Sequence, residues 1–220
     1  MLSAGERSAI YEIFASTYTK LPTVESLRDF MIFTEEITKI IDSPISKRLA
    51  ELAAERSAAA ASSASALQAL QQEYYDHFFV PCSGKYVPPF ESAIKYNTLW
   101  SEDAVHCAAC YETLGFEPRS LEIFPPLKEV AVPDHIGFQL AFMAFLTKGE
   151  SVAEAESEGW QGLQSQFLRE HLLSWLPDYA AALAKTGGEF YAALTALLAE
   201  FTSLDAGRMA NSRRVRGEVH

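Results

Sequence analysis

Residues 133–146, PDHIGFQLAFMAFL, constrain this chain more than any other stretch. Ile136, Leu140 and Met143 fall on one helical stripe and Phe138, Phe142 and Phe145 on a second, so a helix here is apolar nearly all the way round. In water such a helix must be covered by other elements on every side. No run of about 18 apolar residues occurs, so a transmembrane helix is not expected. The sequence therefore predicts a helix in the middle of a multi-helix fold.

The rest of the chain supplies its neighbours. Ser3 and Glu6 have capping-box spacing ahead of Ile10, Ile13, Phe14 and Tyr18, which predicts a helix over residues 4–20. Pro22 and Thr23 open a second, with Leu27, Phe30 and Met31 inward; residues 37–42 read as a separate turn and 44–56 as another helix. The serine-rich residues 62–65 are a weak point, after which Leu67, Leu70, Tyr74 and Phe78 carry a helix as far as Pro81. One helix is expected over 93–114, with Leu99, Val105, Ala109 and Leu114 among its inward candidates and Gly115 as its stop, followed by a proline-rich connection over 116–133. Asp134 reads as the N-cap of the central helix and Ser92 as the cap of the helix after Phe90. Residues 151–175 form a long amphipathic pattern that Pro177 interrupts, and Phe190, Leu194, Leu197, Phe201 and Leu204 mark the last helix. From Asp205 no core pattern remains. Residues 1–205 are thus read as one all-helical domain and 206–220 as a flexible tail. Sustained alternation of apolar and polar residues is absent, so the fold class is all-α, a single-domain bundle of roughly ten or more helices.

Composition narrows the function. A formal charge of −11 argues against nucleic acid, whose phosphates need Lys and Arg, and suits a basic peptide better. The N-terminus lacks the basic and apolar regions of a signal peptide, and Cys82, Cys107 and Cys110 are too few for a disulfide framework. A cytoplasmic protein is expected. No G-x-S-x-G, G-x-x-x-x-G-K-[ST] or G-x-G-x-x-G occurs. Glu91 with His135, or Asp134 with His135, offers an acid–base pair, although a lone Asp-His at a helix start also reads as a cap and its neighbour. Cys107 and Cys110 beside His106 offer a metal- or thiol-dependent centre, but without the second ligand pair that a zinc site needs. No cofactor is expected.

The feature this leaves open is YYDHFFVPCSGKYVPPFES, residues 74–92, where rings crowd a segment that cannot be helical. Core packing and a ligand groove both suit them. The order Tyr75-x-x-Phe78-Phe79, then Pro88-Pro89-Phe90-Glu91-Ser92, then Pro133-Asp134-His135-Ile136 resembles the TorD/DmsD family, and FLREHLLSWLPDYAAAL resembles that family's closing helices. The resemblance covers about residues 70–205. It implies an all-helical cytoplasmic chaperone, not an enzyme, that binds the apo catalytic subunit of a dimethyl sulfoxide reductase-type molybdoenzyme. Contact with the subunit's twin-arginine leader or its mature body would hold it until cofactor insertion. The implied partner-binding residues are Tyr75, Phe78, Phe79, Pro88, Pro89, Phe90, Glu91, Ser92, Asp134 and His135. Rings edged by Asp76, Glu91 and Asp134 would meet the two guanidinium groups and apolar run of such a leader. Such a chaperone would be a monomer or a dimer; a generic helical adaptor is the alternative.

Overall fold

The computed structural model describes residues 2–217, with the side chains of all but 154 and 211–217. Among these residues there are eleven α-helices and no strand, so the all-α expectation holds. The helices gather into two compact units, one of described residues 2–19, 90–175 and 200–217, the other of residues 20–89 and 176–199.

In the first unit α1 (Ala4–Thr19) lies along α8 (Ile136–Val152). Helix α8 is the core helix its sequence requires: Ile136, Phe138, Leu140, Met143 and Leu146 are fully buried and Phe142 nearly so. Gly137 lets the two helices approach, because a Cβ there would stand 2.2 Å from the Thr19 methyl carbon. From α1, Tyr11, Phe14 and Tyr18 enter the same core, where Phe142 meets Tyr111 at 4.8 Å between ring centroids. Arg7 is buried with them. Its guanidinium binds Asp205 at 2.6 and 2.9 Å, Glu150 at 3.0 Å and Gln164 at 2.5 Å.

The single helix expected over 93–114 is in fact two, α5 (Glu91–Tyr96) and α6 (Glu102–Leu114). Between them Asn97 (φ 54°) and Trp100 (φ 62°) are left-handed, which ends one helix and re-aims the chain into the next. Residues 116–133 also hold a short helix, α7 (Pro125–Val130). The pattern over 151–175 resolves into α9 (Ser157–Phe167) and a π-helical turn (Leu168–Leu172) leading into α10 (Leu173–Ala184), which carries Pro177 inside it. The last helix, α11 (Glu189–Gly217), runs past the point where a loose tail is expected, with Asp205 and Met209 buried. Asp205 looks like the end of a core pattern because its partner is a charge, Arg7, rather than an apolar neighbour. Residues 218–220 of the expected tail lie outside the described residues.

In the second unit α2 (Val24–Ile40) pairs with α3 (Pro44–Ser62), and α3 with α4 (Ala64–Phe78). Helix α2 absorbs the turn expected at 37–42 as far as Ile40, because Phe33, Thr34 and Ile37 continue its buried face. The weak point falls on Ser63, the C-cap of α3 and the N-cap of α4, whose hydroxyl accepts from the Ala66 amide. Tyr74 and Phe78 pack around Tyr191, the latter pair at 4.7 Å between centroids. The loop after α4 is tied back to it: Ser83 Oγ donates to the Asp76 carbonyl at 2.6 Å and the Val87 amide to the His77 carbonyl at 3.0 Å.

Candidate functional site

The motifs separated in sequence by some forty residues meet at the start of two helices of the first unit. Phe90 and His135 form an isolated antiparallel bridge, with their rings edge to face at 5.2 Å. The caps expected from sequence are exchanged. Asp134 does not cap its own helix: its Oδ2 accepts from the Ser92 amide at 2.7 Å and from the Ser92 hydroxyl, and its carbonyl accepts from the Glu91 amide. It therefore satisfies the first-turn amides of α5 from across the chain, while Phe90 stands at that N-cap with no side-chain bond. His135 caps α8 through Nδ1, which accepts from the Gly137 amide at 3.0 Å. Ser92 is not a cap; it lies inside α5 and shares a hydrogen bond with Ser101 Oγ at 2.6 Å.

Burial sets the electrostatics. It pushes His135 down to about 3, so the ring is neutral and keeps the lone pair that its capping bond uses. It raises the Asp134 carboxyl, against which the Ser92 hydrogen bonds pull. Asp134 Oδ1 is buried without a hydrogen-bond partner.

Glu91, fully buried, holds a second cluster together. Its Oε1 accepts from Lys95 Nζ at 3.0 Å and Ser174 Oγ at 3.1 Å, and its Oε2 from Gln139 Nε2 at 2.6 Å, with His171 Nδ1 at 2.8 Å. Gln139 is fixed in turn by the Trp175 indole N–H at 3.1 Å. Burial opposes the His171 imidazolium, but hydrogen bonds to Cys107, Cys110 and Glu91 outweigh it and raise the group above the ordinary histidine value. Burial pushes the Cys107 thiol up. His171 carries no motif. It lies 80 residues from Glu91, and its only sequence signal is a place on the buried side of the FLREHLL pattern.

The first unit thus brings together Phe90, Glu91, Ser92, Asp134 and His135, all buried. The acid–base pairs read from sequence do not form here: Glu91 is engaged with His171, and His135 with a backbone amide. Tyr75, Phe78, Phe79, Pro88 and Pro89 belong to the second unit, where Phe78 and Pro89 are buried and Tyr75, Phe79 and Pro88 half-buried. Sequence reasoning missed the solvent-facing group on the first unit: Tyr96, Leu99, Trp100 and Val105 are all exposed, Trp100 at 59%. Leu99 and Val105 read as inward residues only while α5 and α6 are taken for one helix.

The fold and the site define an all-helical protein whose buried polar groups organise loops and helix starts. Residues 41–181, more than half of the chain, match the family model described as nitrate reductase delta subunit, and the chain belongs to that family. It is similar to the chaperone protein TorD of Aliivibrio fischeri (strain ATCC 700601 / ES114), 36% identical over 80 residues, which cover 35% of this chain and 37% of that one. It is also similar to the perchlorate reductase assembly chaperone protein of Dechloromonas aromatica (strain RCB), 31% identical over 117 residues, covering 51% and 52%. These relatives are chaperones, not enzymes, and the chain spans about a third to a half of their length. No solved structure matches it. Among the described residues no helix is long and apolar enough to cross a membrane.

Proposed function

We propose that the chain is a cytoplasmic maturation chaperone. It binds the apo catalytic subunit of a dimethyl sulfoxide reductase-type molybdoenzyme, through the twin-arginine leader or the mature body, and holds it until the molybdenum cofactor is inserted. The observation that carries this reading is the union of the 90–92 and 134–135 motifs by the Phe90–His135 bridge and the Asp134 cap. Residues whose order resembles a chaperone family also share one physical task, and the named relatives support the same class. Phe90, Glu91, Ser92, Asp134 and His135 act as the frame of the first unit's binding face; in the second unit Phe78 and Pro89 are buried among that unit's own residues. Client contact falls to the accessible rings Tyr96 and Trp100 of the first unit, and the half-buried Tyr75, Phe79 and Pro88 of the second unit are a candidate surface of their own. A ring with an exposed face suits both a guanidinium group and an apolar leader segment.

The test is maturation itself. A molybdoenzyme catalytic subunit from the same organism is expressed with and without the chain, and its active fraction is measured. The reading expects a several-fold higher active fraction with the chain, reduced when Tyr96 and Trp100 are both replaced by alanine. Equal activity with and without the chain, for every molybdoenzyme of the organism, would sink it.

A further inference from the structure

We infer that His106, Cys110 and His171 form a binding site for a zinc-class divalent cation, oriented from behind by the Glu91 carboxylate. His171, 1% exposed, is carried on the π-helical turn Leu168–Leu172, a distortion that recurs where a helix must aim a functional side chain. Its Nδ1 is held by Glu91 Oε2 at 2.8 Å, which turns Nε2 outward toward α6. A histidine anchored by a carboxylate at one nitrogen and presenting the other is the usual arrangement of a metal-binding imidazole.

The outward nitrogen meets further donors. His106 Nδ1 is 2.9 Å from His171 Nε2, and the two rings stack at 5.0 Å. Cys110, one turn along α6, places its Sγ 3.9 Å from His106 Nε2. One donor atom from each of the three residues lies within 4.8 Å of the other two. A tetrahedral zinc ion with bonds of about 2.0 to 2.3 Å sets its donors roughly 3.3 to 3.8 Å apart, so the exposed His106 ring, whose Nδ1 meets His171 and whose Nε2 meets Cys110, would turn to offer one nitrogen to the ion. A plain His–His hydrogen bond explains the 2.9 Å contact. It does not explain a thiol at the same opening, nor the adjoining cavity of about 200 Å³ lined by Cys110, Gln166, Phe167 and Glu170, where a fourth ligand would enter.

Two imidazoles and a thiolate are borderline-soft donors, which select zinc and its transition-metal neighbours over magnesium or calcium. The second cluster, Glu91, Cys107 and His171, is less suitable because both Glu91 oxygens are already occupied by Lys95, Ser174 and Gln139. Bound at the outer set, the ion would clamp α6 to the π-helical turn. Its role is to stabilise that junction rather than to catalyse.

The experiment uses the full chain, purified without a tag and freed of metal, titrated with zinc by calorimetry and with cobalt by visible absorption. One ion per chain is expected, with a cobalt–thiolate charge-transfer band. His106→Ala and Cys110→Ala, which change groups at or near the surface, should each weaken binding by about tenfold or more. The band should vanish in Cys110→Ala and persist in Cys82→Ala. Absence of stoichiometric binding would overturn the site. So would a smaller loss in either variant, survival of the band in Cys110→Ala, or its disappearance in Cys82→Ala.

Discussion

Two buried polar clusters in the first unit use their charges differently. Around Arg7 every partner is consumed: Asp205 takes two guanidinium bonds and the Tyr11 hydroxyl, while Glu150 takes Arg7, Gln161, Gln164 and Ser157. That cluster joins α1, α8, α9 and α11, and among the described residues none of its side chains has a buried unpaired oxygen or nitrogen. Around Glu91 the bonds instead run outward, from the carboxylate through His171 to His106 at the surface, and Asp134 nearby keeps one oxygen unpaired. The first arrangement ties helices together. The second serves folding and leaves groups poised to meet something else.

The largest effect should come from breaking the closed cluster. Arg7→Ala strands two buried carboxylates, and its denaturant midpoint should report a loss of about 3–5 kcal/mol, with client binding unchanged once the variant is folded.

Acid should sharpen the comparison next. His135 has its folded value lowered to about 3 from 6.5, so below pH 6.5 the unfolded chain takes up a proton that the folded chain refuses. Stability should therefore fall as pH drops from about 6.5 toward 3, by at most about 1.4 kcal/mol per unit. The buried Asp134 carboxyl, raised above its ordinary value, pulls weakly the other way at the acid end. Urea melts of His135→Asn, which keeps a capping oxygen but cannot titrate, should show a flatter pH profile. An unchanged profile would remove His135 from the account.

A smaller loss is expected for Ser92→Ala, which deletes one bond to Asp134 and two to Ser101, with its hydroxyl and its amide, and should cost about 1–3 kcal/mol in the same melts. The smallest change in stability, and the most telling, concerns Trp100. A tryptophan held at φ 62° is strained, so Trp100→Gly should leave stability equal or higher by up to about 1 kcal/mol while weakening the client complex. A residue that costs stability and gains nothing in binding would have no place in this scheme.

What the sequence made legible was what is periodic or local. The two stripes of residues 133–146 required a covered helix and α8 is one; the serine-rich weak point localises to Ser63, whose capping is a local property. What it hid was non-local. Asp134 and Ser92 each stand where a cap is expected, and nothing nearby tells that Asp134 serves the other helix. The break between α5 and α6 depends on left-handed Asn97 and Trp100, and tryptophan is a poor residue by which to anticipate that conformation. His171 was invisible because its meaning lies in Glu91, 80 residues away, and in a π-helical turn that spacing rules do not encode. The length of α11 was hidden for the same reason: the helix is held at Asp205 by a charge from the far end of the chain.

The most direct measurement is calorimetric titration of the full chain with the twin-arginine leader peptide of a molybdoenzyme catalytic subunit from the same organism, beside a peptide whose arginine pair is replaced by lysines and beside the apo subunit. Because a guanidinium stacks on rings where an ammonium does not, the native leader should bind, and binding should be weaker by about tenfold for the lysine peptide and for Trp100→Ala. Failure to bind both leader and apo subunit, or binding indifferent to the arginine pair and to Trp100, would contradict the proposed function.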